Sequence, residues 1–483
     1  MKSPPAAPLV PTQAPPQAAQ APLPFREMLA FGCGDFASVL YWQTFMRYLP
    51  YYYTDVFGIT AGSLATMLLV SRIFDGVNDP MLGMLADRTE SRWGKFRPFI
   101  LFGCVPFALF GVLTFTTPAF GPAGKLVWAY LTYNALMVLY TTVNIPYTAL
   151  MGVMTSDPVE RTRLASIKFI FAFSAGMVIS AALLPMVSAL GGDKAPQRGW
   201  QLSFVVVGLV AVGFFLVTAF GTKERIQTPP EENTSVLRDL KHLVSNQAWV
   251  LLLCTTLTWI LFVALRSSVS THYFKYFVFN GAPETPLPFL GHSFTLEGLV
   301  STFNTLGQAA SVAGVVVVGL VAPNLPKRGL FVGLFALQIV STASYYFLRP
   351  GQLGAIFALE ILGNFLGAPL PVLMWAMYAD TADFGEWKSG RRTTALVFSA
   401  STMSQKVGWA LGAFVAFQLL QLVGFVANEH PSEAVKGSLV RLMSLYPAAL
   451  GVLSIVVFLF YPLNEARVAE IHEELKRRRA EPG

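Results

Sequence analysis

Long apolar runs succeed one another along this chain, at about 27–53, 60–86, 98–118, 125–151, 164–190, 201–220, 248–278, 297–322, 329–348, 352–378, 393–425 and 438–462. A helix of about 20 apolar residues crosses the hydrocarbon core of a bilayer. The pattern therefore predicts an all-α membrane protein of about twelve transmembrane helices. The longest polar interval, Gly221 to Gln247, falls between the sixth and seventh runs and divides the chain into two halves of similar size. The predicted organisation is a tail over 1–24, a six-helix bundle over 25–220, a central loop over 221–247, a second bundle over 248–463 and a tail over 464–483. The first tail is rich in Pro, Ala and Gln, lacks the apolar core of a cleavable signal, and reads as disordered. The last, NEARVAEIHEELKRRR, reads as a short amphipathic helix with a solvated end.

Composition strengthens this picture. The chain has 483 residues, 54% of them hydrophobic and 13% charged, against about 25% charged in an ordinary soluble protein. The net charge of +7 is not spread like a nucleic-acid footprint, because the basic residues sit in alternate loops. Arg88, Arg92, Lys95 and Arg97, then Arg161 and Arg163, then Lys223, Arg225, Arg238 and Lys241 mark one side; Lys327, Arg328, Lys388, Arg391, Arg392 and the tail continue it. The opposite loops offer only Lys125, Lys194, Arg198, Arg349 and Lys436. By the positive-inside rule both termini and the central loop are cytoplasmic. Cys33, Cys104 and Cys254 all fall in apolar runs and imply no disulfide framework. The five histidines lie in loops or at helix ends without metal-ligand spacing, so nothing suggests an enzyme or a cofactor.

The chemistry lies where polar groups interrupt the apolar runs. In the second, RIFDGVNDP places Arg72, Asp75 and Asp79 at steps of three and four, on one helix face with Asn78 beside them. Each charge near the bilayer centre costs roughly 2.5–3.5 kcal/mol on insertion scales. Two carboxylates one turn apart suit a small hard cation or a shared proton. Pro80 frees the Gly76 carbonyl from its helical partner, adding a further oxygen. The structural alternative is an Arg–Asp pair, which leaves the third charge unexplained. Asp35, in GCGDFAS, lies roughly 13 Å along the first span from Arg26 at 1.5 Å per residue. It is a candidate acceptor for sugar hydroxyls, or else a partner for Arg72 or Lys406. Thr141 and Asn144 share a face of the fourth span, Lys168 lies in the fifth and Lys406 deep in the eleventh. Near Asp75 and Asp79, Lys406 would take the cation's place when it leaves. The sequence assigns no role to Arg47, Arg266, Glu297 or Glu360. GMLADRTESRWGKFRP and ADTADFGEWKSGRR read as cytoplasmic loops whose salt bridges lock the halves together at that face.

In this order GDFAS, RIFDGVNDPMLGMLADRTESRWGKFRP, NIPYTAL, SDPVERTRLASIKFIFA and ADTADFGEWKSGRR resemble the glycoside–pentoside–hexuronide:cation symporters of the major facilitator superfamily, from about Pro24 to Leu463. The resemblance implies two six-helix bundles and symport of a sugar or glycoside with sodium or a proton across a bacterial inner membrane. It assigns Asp75, Asn78, Asp79 and Thr141 to the cation site, with Asp75 and Asp79 as the metal ligands if sodium is used. It assigns Asp35 to the sugar, places Lys406 between the two sites and puts Arg72 and Tyr140 near the substrate; Lys168 stands where relatives usually carry arginine. Asn144 replaces a second sugar-binding aspartate and Thr148 a stacking tryptophan, which turns the expectation from galactosides toward pentosides, glucosides or hexuronides. The expected partners are a small sugar, a monovalent cation and membrane lipid, with the monomer as the working unit. A carrier of lysolipids and a non-transporting sugar sensor are the competing readings.

Overall fold

The computed structural model describes residues 23–89, 91–155, 157–192, 195–226, 243–321, 325–389 and 394–480. Most of the expected N-terminal tail, residues 227–242 of the central loop, and Arg391 and Arg392 lie outside them. Helices account for nearly everything else. In the first half they are α1 (Phe25–Arg47), α2 (Ala61–Arg88), α3 (Arg97–Thr114), α4 (Pro122–Met154), α5 (Pro158–Gly191) and α6 (Pro196–Gly221). The second half contains α7 (Gln247–His272), α8 (Leu296–Val321), α9 (Lys327–Ser344), α10 in two pieces (Leu353–Gly367 and Pro369–Ser389) and α11 (Thr394–Leu422). It is completed by α12, also in two pieces (Glu433–Met443 and Leu445–Leu459), and α13 (Glu465–Ala480). A small antiparallel hairpin, β1 (Leu287–Phe289) with β2 (His292–Phe294), decorates the connection from α7 to α8.

Local chemistry explains the boundaries. Thr60 caps α2 by accepting the Ser63 N–H at 3.2 Å, and Asn246 caps α7 by accepting from Trp249 at 3.1 Å. The turns after α1 and α7 widen into π-helix, Tyr52–Phe57 and Tyr273–Val278. The first of these ends at Gly58, whose φ of +87° only glycine adopts freely. ADTADFGEWKS is not a loop: α10 runs on to Ser389, because nothing in that stretch breaks a helix. Likewise α2 continues through Pro80 to Arg88, so the following turn is shorter than expected.

Within the first half α1 packs on α5 and α6, α3 on α4 and α6, and α2 on α4. Within the second, α7 packs on α11 and α12, α8 on α10, and α9 on α10 and α12. The halves meet chiefly where α2 crosses α11 and where α5 crosses α8. Small residues permit the tight crossings, as expected where helices associate by close packing in lipid. A Cβ on Gly314 would sit 2.1 Å from the Phe365 carbonyl oxygen, and one on Gly34 would sit 2.5 Å from the Tyr147 ring.

Among the described residues nine helical stretches are long and apolar enough to cross a membrane. The long helices that fall short are α1, α2 and α11, which carry Asp35, the Arg72–Asp79 cluster and Lys406. Apolarity is thus lost where charge is placed.

The tail helix α13 is more than a solvated end. Ile471 and Leu475 are buried in the core of the second half. His472 meets Asp383 at 2.8 Å, and the Trp387 indole donates to Glu474 at 2.6 Å. That donation, with the Arg478 guanidinium, holds the Glu474 carboxyl below its ordinary value. A lowered carboxyl stabilises docking at every pH above its unfolded value of about 4.3 and stops doing so only as pH falls through the lowered one. Hydrogen exchange of α13, corrected for intrinsic rate, should therefore stay protected from pH 7 to pH 5 and rise only below about pH 4. Protection that persists unchanged below pH 4 would leave the docking to the buried Ile471 and Leu475 instead.

Candidate functional site

Asp35 and Trp42 lie seven residues apart on one face of α1. Arg72, Asp75 and Asp79 line one face of α2, Tyr140 and Thr141 project from α4, Lys168 from α5 and Lys406 from α11. Arg72 Nη1 donates to Asp75 Oδ2 at 2.9 Å, with both side chains nearly excluded from solvent. Its guanidinium lies 5.6 Å from the Trp42 ring centroid, and Trp42 in turn stacks on Tyr140 at 5.8 Å. Asp79 is shared between the halves: Thr141 Oγ1 donates to its Oδ1 at 2.8 Å, and the Lys406 ammonium binds its Oδ2.

The two carboxylates are therefore not equivalent. Asp75 is held by Arg72 on its own helix, while Asp79 is claimed by a lysine from the opposite half. Asp75 Oδ1 and Asn78 Nδ2 are buried without hydrogen-bond partners. A carboxylate oxygen left in this condition costs about 1–3 kcal/mol, which a cation bound there would offset; the Asn78 amide nitrogen is a donor and would not ligate it. Asp79 supplies further oxygens, as Thr141 does through its hydroxyl, so the donor set is the hard, oxygen-rich one that a small cation takes.

Asp35 pairs with Lys168 rather than with Arg72 or Lys406, at 3.7 Å. The Lys168 ammonium lies 5.7 Å from the Tyr147 ring, and Tyr147 anchors α4 to α1 by donating to the Phe31 carbonyl at 3.1 Å. Tyr140 packs its ring against Trp42 and Phe107. Asn144 is half-buried on α4 and accepts from Thr148 through its backbone oxygen at 2.9 Å; no described bond joins its side chain to Asp35.

A second charged cluster escaped the sequence reading. At the end of the molecule away from the basic loops, the buried Asp55 side chain accepts from Thr54 beside it at 2.6 Å and is otherwise held by groups of the second half. Lys275 Nζ donates to Asp55 Oδ1 at 2.7 Å, His272 Nε2 lies 3.2 Å from Oδ2, and the Tyr276 hydroxyl also binds Oδ1. Asn428 closes the ring, accepting from Lys275 at 2.6 Å and donating to the Asp55 carbonyl at 2.8 Å. Apart from the DV pair after a tyrosine run, nothing in the sequence flags Asp55 as buried. The expected lock at the opposite face falls partly outside the described residues, Arg391 and Arg392 among them. Glu224 accepts the backbone N–H groups of Lys95, Phe96 and Arg97 at 2.7–3.0 Å, within the first half. Asp380 pairs with Lys327 at 2.9 Å, within the second.

Paired helix bundles with acidic and basic side chains gathered between them have the layout of a membrane transporter of the major facilitator architecture. The same fold recurs in a bacterial homologue of the human lysosomal transporter Spinster, in an inward-facing, unoccupied conformation, with a TM-score of 0.62 at 13% identity over 90% of this chain and 96% of that one. The chain belongs to the MFS/sugar transport protein family, which it matches over residues 30–465. It is 34% identical to the inner membrane symporter YicJ of Escherichia coli (strain K12), over 94% of this chain and 95% of the relative. It is 32% identical to the isoprimeverose transporter of Lactiplantibacillus pentosus, over 92% and 90% of the two chains.

Proposed function

We propose that the protein is a cation-coupled symporter that carries a glycoside across a bacterial inner membrane by alternating access, as a monomer with both termini in the cytoplasm. The observation that carries this reading is the contest for Asp79. Thr141 holds one of its oxygens from the first half and Lys406 the other from the second. Asp75, Asn78, Asp79 and Thr141 form the cation site, with sodium or a proton as the coupling ion. Arriving as a positive charge, either one competes with the Lys406 ammonium for the same carboxylate. Cation entry then loosens the tie between α2 and α11 at one of the two main crossings of the halves. Asp35 and Lys168 receive sugar hydroxyls, and Tyr140 with Arg72 couples that ring to the cation site. Isoprimeverose, the substrate named for one relative, fits the expectation of a pentose-bearing glycoside.

Proteoliposome uptake of labelled pentosides, glucosides and uronides under imposed sodium or proton gradients tests the assignment. Accumulation above equilibrium driven by one cation is the expected result; equilibration without any gradient dependence would sink the coupling. Asp35→Ala should weaken sugar binding by about a hundredfold, because it removes a charged acceptor and leaves Lys168 unpaired, a loss of roughly 3 kcal/mol. Unaltered binding in that variant would make the carboxylate a structural partner of Lys168.

A further inference from the structure

The hairpin between α7 and α8 ends in an apolar tip, and we propose that this tip is a membrane anchor: Leu290 inserts among the lipids of the leaflet at that end of the molecule. β1 and β2 are joined by a two-residue turn, Leu290 and Gly291, with φ of +50° and +79°. Positive φ at both positions is the type I′ geometry, which Asn-Gly fits best. Leucine is poorly suited to it, because its Cβ crowds the backbone in a left-handed conformation.

The Leu290 side chain gains nothing inside the protein either, being 81% exposed. Its neighbours do pack: Leu287, Phe289 and Phe294 lie against the hydrophobic core. One face of the hairpin is thus fixed to the protein, while its tip holds a large apolar residue in the open at a strained position. Local chemistry gives no reason for a leucine there, whereas an apolar medium outside the chain does.

Lipid is the medium that the surroundings fit. The stretch LPFLGHSFTL, from Leu287 to Leu296, carries no Lys, Arg, Asp or Glu, so it enters an interface without stripping water from a fixed charge. Its depth is set by Phe289, whose ring centroid lies 4.8 Å from that of Phe357 on α10. Phe357 stands about 6 Å along that helix from Leu353, at 1.5 Å per residue. It belongs to a stretch long and apolar enough to cross a membrane, Leu353–Lys388, so the hairpin is held near the level where this span leaves the bilayer. Helix α9 packs on α10 and leads at the same end into Tyr346 and Phe347, both exposed. Tyrosine is enriched at the headgroup level of membrane proteins, and these side chains continue the apolar surface of the spans outward. The anchored connection is the one that begins with Lys275 and Tyr276, so it tethers the second half's share of the ring around Asp55 to the membrane.

The test is power-saturation electron paramagnetic resonance of a nitroxide on Leu290→Cys, in proteoliposomes of phosphatidylethanolamine and phosphatidylglycerol, with Cys33 and Cys254 replaced. Oxygen concentrates in lipid and a nickel chelate in water. The ratio of oxygen to chelate collisions at position 290 should exceed that at Glu433→Cys, an exposed site at the same end, by at least about fivefold. Equal ratios would put the tip in water and overturn the anchor. A nitroxide shielded from both probes would mean that a second copy of the chain covers the tip, and overturns it equally. Because a nitroxide is itself apolar, a second measurement moves the label to Ser293→Cys on β2 and compares native Leu290 with Leu290→Asn. Asparagine suits the turn and keeps the hairpin folded. The collision ratio at 293 should fall at least about twofold in the Leu290→Asn protein; an unchanged ratio shows that the leucine does not hold the hairpin in lipid, and sinks the proposal.

Discussion

Asp75→Asn should abolish cation-driven accumulation while leaving glycoside binding in place. The reason lies in how the two carboxylates are held. Asp79 already has two partners, Thr141 and Lys406, whereas Asp75 keeps one oxygen against Arg72 and the other without a partner. That free oxygen is the group most available to an arriving cation. The substitution removes the negative charge from it and also strands Arg72, which is only 8% exposed. Breaking a buried pair in this way costs about 3–5 kcal/mol, and the same order of loss in cation affinity is a factor of more than about a hundred. Glycoside binding is the control: the Asp35–Lys168 pair sits on α1 and α5, so a folded variant still binds sugar. Cation titration by calorimetry and uptake under an imposed gradient measure the two properties separately. Undiminished accumulation would falsify the assignment of Asp75 to the coupling ion.

The parts of this arrangement that were legible in the sequence share one property: they break a rule of their surroundings. Arg72, Asp75 and Asp79 were visible because ionised groups in a lipid-spanning run are expensive, and their spacing set them on one face before any coordinates. Asp35, Lys168 and Lys406 stood out in the same way, although which acid met which base depended on helix packing that no local pattern encodes. Asp35 therefore found Lys168, and Lys406 found Asp79. Trp42 was illegible because an aromatic in a membrane helix breaks no rule. Arg266 and Glu360 were noticed and left without a role; they lie on different helices and became a pair only when α7 and α10 were brought together. Asp55 illustrates the opposite limit. It follows the end of an apolar run, where a charge is unremarked, and only the tertiary structure shows that two separate segments of the second half, at 272–276 and at Asn428, close over it. The tail helix shows the same limit, since its amphipathic pattern gave the helix but not the surface that buries Ile471 and Leu475.

Asp55→Asn should open the end of the molecule that this cluster now holds shut. Asp55 is the one acid in a ring of Lys275, His272, Tyr276 and Asn428, and the ring joins the first half to the second. Asparagine keeps the shape and can still accept from Tyr276, but it leaves the Lys275 ammonium, 6% exposed, without a counter-charge. A loss of about 3–5 kcal/mol from breaking a buried pair falls entirely on the state in which this end is closed. An equilibrium of 99:1 in favour of closure would then shift to near parity or beyond, since about 5.5 kcal/mol carries it all the way to 1:99. The shift is measurable as the labelling rate of a cysteine placed at Phe425, which is 6% exposed beside the ring, by a membrane-impermeant thiol reagent. The background should have Cys254 replaced, because that native thiol is exposed. Labelling should accelerate by at least about tenfold in the Asp55→Asn protein and slow again when substrate and cation are removed together only if they favour the open state. An unchanged rate would mean that closure rests on the surrounding aromatic contacts, in which His272 packs edge-on against Phe417 and Phe425, and that the buried charge adds nothing to it.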